Sequence, residues 1–364
     1  MNTTLPDSLF NRDSTPSPLH ERYTTLKQEA SLYRREIAEK LDVSEAELID
    51  AQCDVQSIRL NNREFGELIK QLPALGYIKT LTRNDYAVHE RKGVYGNITI
   101  NGPMGLVISD DRKVDLRIIL PRWQYGFAVR EPMDNGPRYS LQFFGQSGTA
   151  IQKIILQPKS DTAAYAELVQ KFRAQDQHSP LTFSPIADTP LYADDQSVDV
   201  ARLTEEWLGM TDVHQFFGIL KNHNVSREQA FRLVSDDYAQ PIEPSCVEPL
   251  LTRAAEKAIP IMCFVGNHGN IQIHSGMVKN IQRMGPWLNV LDPEFNLHLL
   301  EEGVASAWLV RKPCDTGWVT SVELYDAQGR VIAQFFGVRK EGEEEIPAWR
   351  QLAYSLLPKE RRVA

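Results

Sequence analysis

Apolar and polar residues follow two different periods along the chain, and the two periods mark different elements. Apolar residues recur every three to four positions in five segments, which predicts helices over residues 23–51, 65–75, 200–221, 227–235 and 247–258. Strict alternation or short apolar runs predict strands over residues 114–120, 150–156, 321–325 and 331–336. Because the strands arrive as hairpins separated by turn signals and do not alternate with helices, the pattern indicates an α+β fold with antiparallel sheets.

The chain also repeats itself. Blocks in one half resemble blocks in the other half at similar spacing: residues 43–44 with 225–226, 97–98 with 280–281, 115–129 with 296–310, and 143–145 with 335–337. Both copies carry a capping box at the start of a helix: Ser44-x-x-Glu47 and Ser226-x-x-Gln229. We therefore predict a tandem duplication, in which each copy holds a large antiparallel sheet flanked by helices. The copies cover residues 20–174 and 198–358, and an aperiodic linker covers residues 175–197.

Composition narrows the class of protein. The chain has 364 residues, of which 42% are hydrophobic, so two domains with sizeable cores are expected. Its formal net charge of −8 argues against nucleic acid as a partner. No apolar run is long enough to cross a membrane, and residues 1–19 lack a signal-peptide pattern, so we expect a cytoplasmic protein that is not embedded in a membrane.

Several chemical signatures are absent from the sequence. The cysteines are scattered and form no CxxC pair, which gives no support to structural zinc or an iron–sulfur cluster: Cys53, Cys246, Cys263 and Cys314. No GxGxxG, GxxxxGK[ST], HExxH or GxSxG motif occurs, so neither flavin nor NAD binding has a motif to support it. The absence of CxxCH excludes covalent attachment of a c-type haem.

A histidine marks the first place where the two copies differ. His214 lies in a predicted helix that begins at a cap on Thr211 or Asp212, where the first copy has Leu32. The apolar stripe of this helix is predicted to contain four residues: Val213, Phe216, Phe217 and Leu220. Gly218 lies one turn after the histidine, and a glycine inside a helix costs about 1 kcal/mol relative to alanine. His214 beside a groove floored by glycine could bind the metal of a flat cofactor, whereas the alternative is a structural histidine.

Two arginines are further candidates. Arg227 takes the first helical position after a cap, where the first copy has Glu45, and a cation there opposes the helix dipole unless an anion lies nearby. Arg117 lies inside the strand over residues 114–120, on the face that alternates away from the apolar one. Its counterpart in the second copy is His298, so each half could hold a polar cavity here. Solvated side chains on exposed surfaces remain the alternative for both arginines.

The C-terminal hairpin supplies a set of polar residues around aromatic ones. Lys312, Gln334 and Arg339 flank Phe335 and Phe336, and the two cations could bind the carboxylates of a largely apolar ligand. Three other histidines lie near turns and are expected to be surface or loop residues: His89, His268 and His274.

Long segments of the chain resemble the HemS/HmuS/ChuS family of Gram-negative bacteria, cytoplasmic haem-utilisation proteins often called hemin-degrading factors. The segments that carry this resemblance are TDVHQFFGILK, VDLRIILPRW, FVGNHGNIQIHSG, WLNVLDPEFNLHL and WVTSVELYDAQGRVIAQFFGVR. The resemblance implies two similar halves with haem b in a cleft that involves both. It implies that His214 is the axial ligand of the iron and that Arg117 is the distal arginine.

The resemblance also assigns roles to other residues. It implies that Arg227, Lys312 and Arg339 surround the haem propionates with Gln334 nearby, and that Phe264 and Phe336 form aromatic walls. His298 is the residue that a second haem site would use. These roles agree with what haem demands, namely an imidazole for its iron, an apolar slot for its disc and cations for its carboxylates.

The residues leave two functions open. The first is an enzyme of iron acquisition that takes up imported hemin and opens the macrocycle with release of iron, with electrons from an external donor or reductase. The second is a non-enzymatic haem carrier that takes haem from an inner-membrane importer and delivers it to an acceptor protein, a separate haem oxygenase. Both functions need the same ligand and the same cations, so the sequence does not separate them. A third interpretation, a duplicated α+β protein in which His214 is purely structural, also stays open.

Overall fold

The computed structural model of the chain describes residues 6–10, 17–30, 32–185, 191–339 and 342–358. In these ranges the helices are α1 (Pro18–Ala30), α2 (Arg34–Leu41), α3 (Glu45–Asp50), α4 (Phe65–Gln71), α5 (Thr162–Phe172), α6 (Val200–Leu208), α7 (Gln215–His223), α8 (Arg227–Leu233), α9 (Val247–Glu256) and α10 (Pro347–Tyr354). The strands of the first half are β1 (Ser57–Arg59), β2 (Gly76–Arg83), β3 (Ala87–Val94), β4 (Ile98–Asn101), β5 (Met104–Ile108), β6 (Asp115–Ile119), β7 (Tyr125–Glu131), β8 (Arg138–Phe144) and β9 (Ala150–Ser160). Those of the second half are β10 (Ala239–Ile242), β11 (Ile261–Gly266), β12 (Asn270–Gly276), β13 (Ile281–Met284), β14 (Trp287–Leu291), β15 (Phe295–Leu300), β16 (Ser306–Cys314), β17 (Gly317–Tyr325) and β18 (Val331–Gly337).

Within these ranges the strands form two sheets of nine. One sheet has the order β1-β7-β8-β9-β2-β3-β15-β14-β13, and the other has the order β10-β16-β17-β18-β11-β12-β6-β5-β4. The pairings are antiparallel, and the two orders correspond strand by strand, since β1 matches β10, β7 matches β16 and so on. The predicted α+β fold class and the tandem duplication are therefore confirmed.

The strand order corrects one of the repeated blocks. Residues 143–145 lie at the end of β8, whereas residues 335–337 end β18. The third strand in each sheet order is β8 in one sheet and β17 in the other, so the two Phe-Phe-Gly segments are not equivalent. Their similarity reflects strand composition, because aromatic residues are favoured in half-buried strands generally.

Two predicted helices are each divided into shorter ones. The helix predicted over residues 23–51 consists of α1, α2 and α3, and α2 ends where Asp42 takes a left-handed conformation with φ of 53°. The helix predicted over residues 200–221 divides into α6 and α7 after Gly209. Both capping boxes are confirmed, with each hydroxyl accepting a backbone N–H: Ser44 from Glu47 and Ser226 from Gln229.

The described residues form two compact units. The first includes those within Met1–Arg83, Glu90–Ala187 and Asn267–Gln272, and the second includes the remainder. The first unit packs α5 on its sheet strands, with Tyr165 and Phe172 in one apolar cluster with Phe143. The domain boundaries at residues 174 and 198 stay a prediction.

In the second unit, helices pack on both faces of the sheet. On one face, Trp349 of α10 packs in a cluster with Phe335 and Leu324. On the other face, α6, α7 and α8 pack aromatic side chains against Trp308 and Tyr325. Successive strand residues point to opposite faces, so Leu324 and Tyr325 belong to different clusters.

Two histidines that the sequence placed at the surface are buried instead. His89 lies in β3 and His274 lies in β12, with 0% and 2% of their surface exposed. Both rings lie against Phe295, at centroid distances of 5.0 and 3.7 Å respectively. Strand alternation turns these two side chains inward, whereas His268 lies in the turn between β11 and β12 as predicted.

Candidate functional site

His214 lies at the start of α7 in the second unit. The helix begins at Gln215, so His214 is its N-cap residue, and the predicted cap on Thr211 or Asp212 is wrong. The Gln215 side chain accounts for the shift, because its Oε1 atom accepts the backbone N–H groups of both Thr211 and Asp212. These bonds hold the approach to α7 in a tight turn that presents His214 at the helix end.

The His214 imidazole is 89% exposed, and Asp212 orients it. The Asp212 Oδ1 atom lies 2.7 Å from the backbone nitrogen of His214 and 2.6 Å from its ring Nδ1 atom. The pKa of the Asp212 carboxyl lies below its usual value, chiefly because it accepts that backbone N–H, with a smaller contribution from the positive charge of Arg339. An ionised carboxylate only accepts, so Nδ1–H donates and the Nε2 lone pair of the neutral ring is left for a ligand.

The exposed face of α7 contains Phe217 and Gly218, one turn after His214. Phe217 is 77% exposed, so its predicted place in the apolar stripe is wrong. Phe216, Ile219 and Leu220 are the buried residues of α7, because only they share a helical face. A methyl group at Gly218 would meet open space, so this face has room for a flat group beside the imidazole.

Glu323 of β17 joins three of the predicted ligand-binding residues. Its carboxylate accepts hydrogen bonds from Arg227 Nε at 2.6 Å and Arg227 Nη2 at 3.1 Å. Lys312 Nζ donates to it at 3.0 Å and Gln334 Nε2 donates at 2.7 Å. The anion that the position of Arg227 requires is therefore supplied by the protein itself.

The Glu323 cluster is defined as Glu323 with Arg227, Lys312 and Gln334, and its carboxylate and ammonium groups are buried. Glu323 is 0% exposed, and the hydroxyls of Ser321 and Tyr325 also donate to it, at 2.8 and 2.9 Å. Burial alone would raise the pKa of Glu323, but Arg227 and Lys312 hold that pKa well below its usual value.

For Lys312 in the same cluster, the effect of burial on the pKa exceeds that of the neighbouring opposite charge. Burial lowers the pKa of its ammonium to about 8, against an opposing contribution from Glu323. The cluster therefore contains one carboxylate and two cations near neutral pH.

Aromatic rings from three helices surround these cations. Lys312 Nζ lies 4.7 Å from the ring centroid of Phe216, 5.3 Å from that of Phe231 and 5.8 Å from that of Trp207. The Arg227 guanidinium lies 5.1 Å from the Phe216 ring. Phe216 follows His214 by two residues, so α7 contributes to both the imidazole and the cation cluster.

The strand register extends the cluster into an aromatic strip. Glu323 faces Gln334 across β17 and β18, and Gln334 faces Phe264 across β18 and β11. The rings of Phe264 and Phe336 lie 5.0 Å apart, and both are partly exposed. The two predicted aromatic walls are thus brought together, next to Gln334.

Arg117 and His298 are not members of the Glu323 cluster. Arg117 in β6, a strand of the first unit, forms an ion pair with Asp115, and its side chain is 35% exposed. Leu116 and Ile118 are buried, as the predicted alternation requires. His298 in β15 has Nδ1 at 2.6 Å from Asn289 Oδ1.

Sequence reasoning missed Asp212 as an orienting residue and Glu323 altogether. An acid two residues before the histidine was available as a signal for the first. For Glu323, the signal was a single charged residue inside the alternating strand over residues 321–325, since a buried charge needs partners. Across the described ranges, no three His, Cys, Asp or Glu residues cluster to hold a metal ion, and no helix is long and apolar enough to span a membrane.

Comparison with known proteins gives consistent matches along the chain. Residues 42–172 and 224–356 match the protein-family model described as the haemin-degrading HemS/ChuX domain. The hemin transport protein HmuS of Yersinia pestis is 38% identical over 347 residues, which covers 94% of this chain and 98% of the relative. The hemin transport protein HemS of Yersinia enterocolitica is 38% identical over 337 residues, which covers 91% and 95% of the two chains.

Solved structures match over the same length. Holo-PhuS, a heme-binding protein from Pseudomonas aeruginosa, has a TM-score of 0.91 and 40% identity, covering 94% of this chain and 99% of its own. ChuS of E. coli, described as a heme oxygenase, has a TM-score of 0.84 and 38% identity, covering 94% of this chain and 100% of its own.

Proposed function

Because the chain belongs to the haemin-degrading HemS/ChuX family, as its sequence predicted, we propose that it binds haem and that His214 is the iron ligand. The observation that carries this proposal is the geometry of His214. Its side chain is 89% exposed, and Asp212 accepts its Nδ1–H, which leaves the Nε2 lone pair for a ligand. A histidine that donates one ring nitrogen to a carboxylate is the usual arrangement for a metal ligand.

Neighbouring residues of the second unit match the other demands of haem. The disc needs apolar surface, which the exposed ring of Phe217 and the partly exposed rings of Phe264 and Phe336 supply. The propionates need cations, and Arg227, Lys312 and Arg339 are the proposed partners, with Gln334 nearby. Arg339 lies close enough to lower the pKa of Asp212, so it belongs near the imidazole.

We propose further that the bound haem is degraded in the cytoplasm to supply iron. O₂ is the oxidant, and an external donor or reductase supplies the electrons. A bridging carbon of the macrocycle is oxidised, the ring opens and the iron is released. Arg117 is proposed as the distal residue that hydrogen-bonds and charge-stabilises oxygen bound at the iron, a role taken from the family resemblance.

The test of degradation uses the full chain reconstituted anaerobically with hemin. A reductant is added with and without O₂, in the presence of catalase, while the Soret band and the products are followed by absorbance and mass spectrometry. Degradation predicts O₂-dependent bleaching that resists catalase and slows in Arg117→Ala without loss of binding. If catalase abolishes all turnover, free peroxide is responsible and the enzymatic proposal fails.

A carrier function is the second candidate, and the exposure of His214 favours it. An iron ligand that is 89% exposed gives a partner protein direct access to the haem. The test is the rate of haem dissociation with and without a candidate acceptor protein. A rate that rises with acceptor concentration supports transfer, whereas an unchanged rate leaves degradation as the proposed function.

A further inference from the structure

The two repeats carry different charges at the positions of the Glu323 cluster. Each member has an equivalent in the first repeat: Glu45 for Arg227, Glu131 for Lys312, Gln142 for Glu323 and Lys153 for Gln334. The strand register supports these equivalences, because Gln142 faces Lys153 across β8 and β9 just as Glu323 faces Gln334 across β17 and β18. The charge is therefore reversed between the repeats at the first two positions. At the third position only the second repeat has an acid, and at the fourth only the first repeat has a lysine.

In the first repeat, the charged residues at these positions form ion pairs within the same unit. Arg34, which stands where α7 has Phe216, forms an ion pair with Glu131 and donates to Gln142 at 3.3 Å. Lys153 lies 2.7 Å from Glu45. The buried charges of this set are balanced, with two acids, Glu45 and Glu131, and two bases, Arg34 and Lys153. Arg138 also pairs with Glu131, but its side chain is 43% exposed and water screens its charge.

The Glu323 cluster is balanced differently. It contains one carboxylate and two cations, which leaves one positive charge in surplus. Lys312 and Glu323 have side chains 5% and 0% exposed, so water screens that surplus poorly. A buried surplus charge is costly unless an anion approaches it, which makes this cluster a place where a ligand carboxylate is favoured.

We propose that Glu323 is a positioning residue for the haem carboxylates, holding Arg227, Lys312 and Gln334 in one arrangement that presents a net positive charge, whereas the buried charges of the first repeat are balanced. This inference rests on the proposed haem binding and deepens it. Glu323 itself need not contact the ligand, because it acts through the three side chains that it binds.

The charge state of Lys312 depends on this arrangement. The groups that face it are the Glu323 carboxylate, the Arg227 guanidinium, the Tyr325 hydroxyl on the same carboxylate, and the rings of Trp207, Phe216 and Phe231. Of these groups, only Glu323 carries a negative charge, which favours the ammonium form of Lys312. With a pKa of about 8, Lys312 is cationic at neutral pH, and loss of Glu323 lowers that pKa further.

The experiment compares ferric hemin with its dimethyl ester, which has the same iron and disc but no free carboxylates. Dissociation constants are measured between pH 6 and 9 for the wild type and for Glu323→Gln, which installs the residue of the first repeat. The dissociation constant of the ester divided by that of hemin measures the contribution of the haem carboxylates to binding. Titration of the iron-binding histidine affects both constants alike and therefore cancels in this ratio.

For the wild type we expect hemin to be preferred by about 10-fold or more below pH 8, with the preference falling above it. In Glu323→Gln the decline should begin about one pH unit lower or more, because Lys312 loses its proton sooner. Glu323→Asp keeps the charge and should restore the wild-type profile. Lys312→Met should reduce the preference to the part due to Arg227 and Arg339 and should remove its decline near pH 8. This variant provides the test if Glu323→Gln does not fold.

Glu131→Gln is the matched control, since it removes an acid from the first repeat whose side chain is only 11% exposed. It should leave the ratio unchanged. If Glu323→Gln or Lys312→Met keeps the wild-type ratio and pH profile, the positioning role is overturned while haem binding stands. If the wild type binds neither ligand, the proposed function itself fails.

Discussion

At the scale of single residues, the chemistry of His214 depends on Asp212 as much as on the imidazole. The carboxylate binds both the backbone N–H and the ring Nδ1–H of the same histidine. Two bonds to one acceptor restrict rotation of an exposed ring that would otherwise sample several rotamers. Fixing the tautomer and the ring orientation is what a metal-binding histidine requires.

Removal of the Asp212 carboxylate should therefore weaken haem binding without unfolding the chain. We expect Asp212→Ala to weaken haem affinity by about 10- to 100-fold, and Asp212→Asn by less, because the amide oxygen still accepts the Nδ1–H. Hemin titration followed at the Soret band measures both. Equal affinities for both variants and the wild type would contradict an orienting role for Asp212.

At the scale of elements, α7 has two faces with different tasks. One face of α7 is buried within the second unit and contains Phe216, Ile219 and Leu220. The other face is exposed and contains His214, Phe217 and Gly218. A helix of nine residues is short, so its stability depends on the buried face. The exposed side is then free to serve binding.

A matched pair of substitutions separates the two faces. Phe216→Ala should lower the free energy of unfolding by about 3–5 kcal/mol, since it removes a buried ring. Phe217→Ala should change it by less than about 0.5 kcal/mol yet weaken haem affinity. Urea denaturation and hemin titration measure the two quantities. A stability loss in Phe217→Ala as large as that in Phe216→Ala would contradict the assigned faces.

Gly218 provides a second test of the exposed side. Alanine has open space there and favours the helix, so Gly218→Ala should raise the free energy of unfolding by about 1 kcal/mol. If the haem disc lies over this residue, the added methyl group should weaken haem affinity at the same time. Greater stability with unchanged affinity would show that the disc does not approach Gly218.

At the scale of the whole molecule, duplication has produced two repeats with one sheet order and different polar interiors. The first repeat relies on paired acids whose pKa values are strongly lowered. Burial alone would raise the pKa of Glu131, but Arg34 and Arg138 hold that pKa at about 2. The pKa of Glu45 is likewise held at about 2, with Lys153 as the largest favourable influence.

These lowered values predict the response of the first repeat to acid. A folded-state pKa below the unfolded value gives stability that is present above about pH 4.5 and is lost as pH falls toward 2. Glu131→Gln should lower the free energy of unfolding at pH 7 by about 3–5 kcal/mol, because Arg34 loses its buried partner. Its decline between pH 4.5 and 2 should be shallower than in the wild type.

Urea denaturation at several pH values measures this response. Glu67→Gln is the control, because its ion pair with Lys70 is exposed and contributes little. A decline in Glu131→Gln that runs parallel to the wild type would contradict the paired-acid account.

The sequence predicts the repeats and the main elements because these depend on local periodicity. It cannot predict that β6 pairs with β12, since the two strands lie about 150 residues apart and alternation does not specify a distant partner. Nor does periodicity assign Phe217 to the exposed side, because an aromatic next to a buried stripe fits either face.

Some residues of the candidate site can likewise be predicted from the sequence, and others cannot. His214 and the cations stand out because polar residues replace different residues of the other copy, as at Leu32 and Glu45. Glu323 does not stand out, because its importance arises from Arg227, Lys312 and Gln334, which only tertiary folding brings to it.

The proposed haem binding depends above all on coordination of the iron by His214. The most direct measurement is the absorption and resonance Raman spectrum of the full chain with ferric hemin, compared between His214→Ala and His178→Ala. His178 is a matched control, an exposed histidine beside an aspartate, Asp54. We predict that His214→Ala loses the histidine-ligated iron signature while His178→Ala keeps it. An unchanged spectrum in His214→Ala would show that another residue binds the iron.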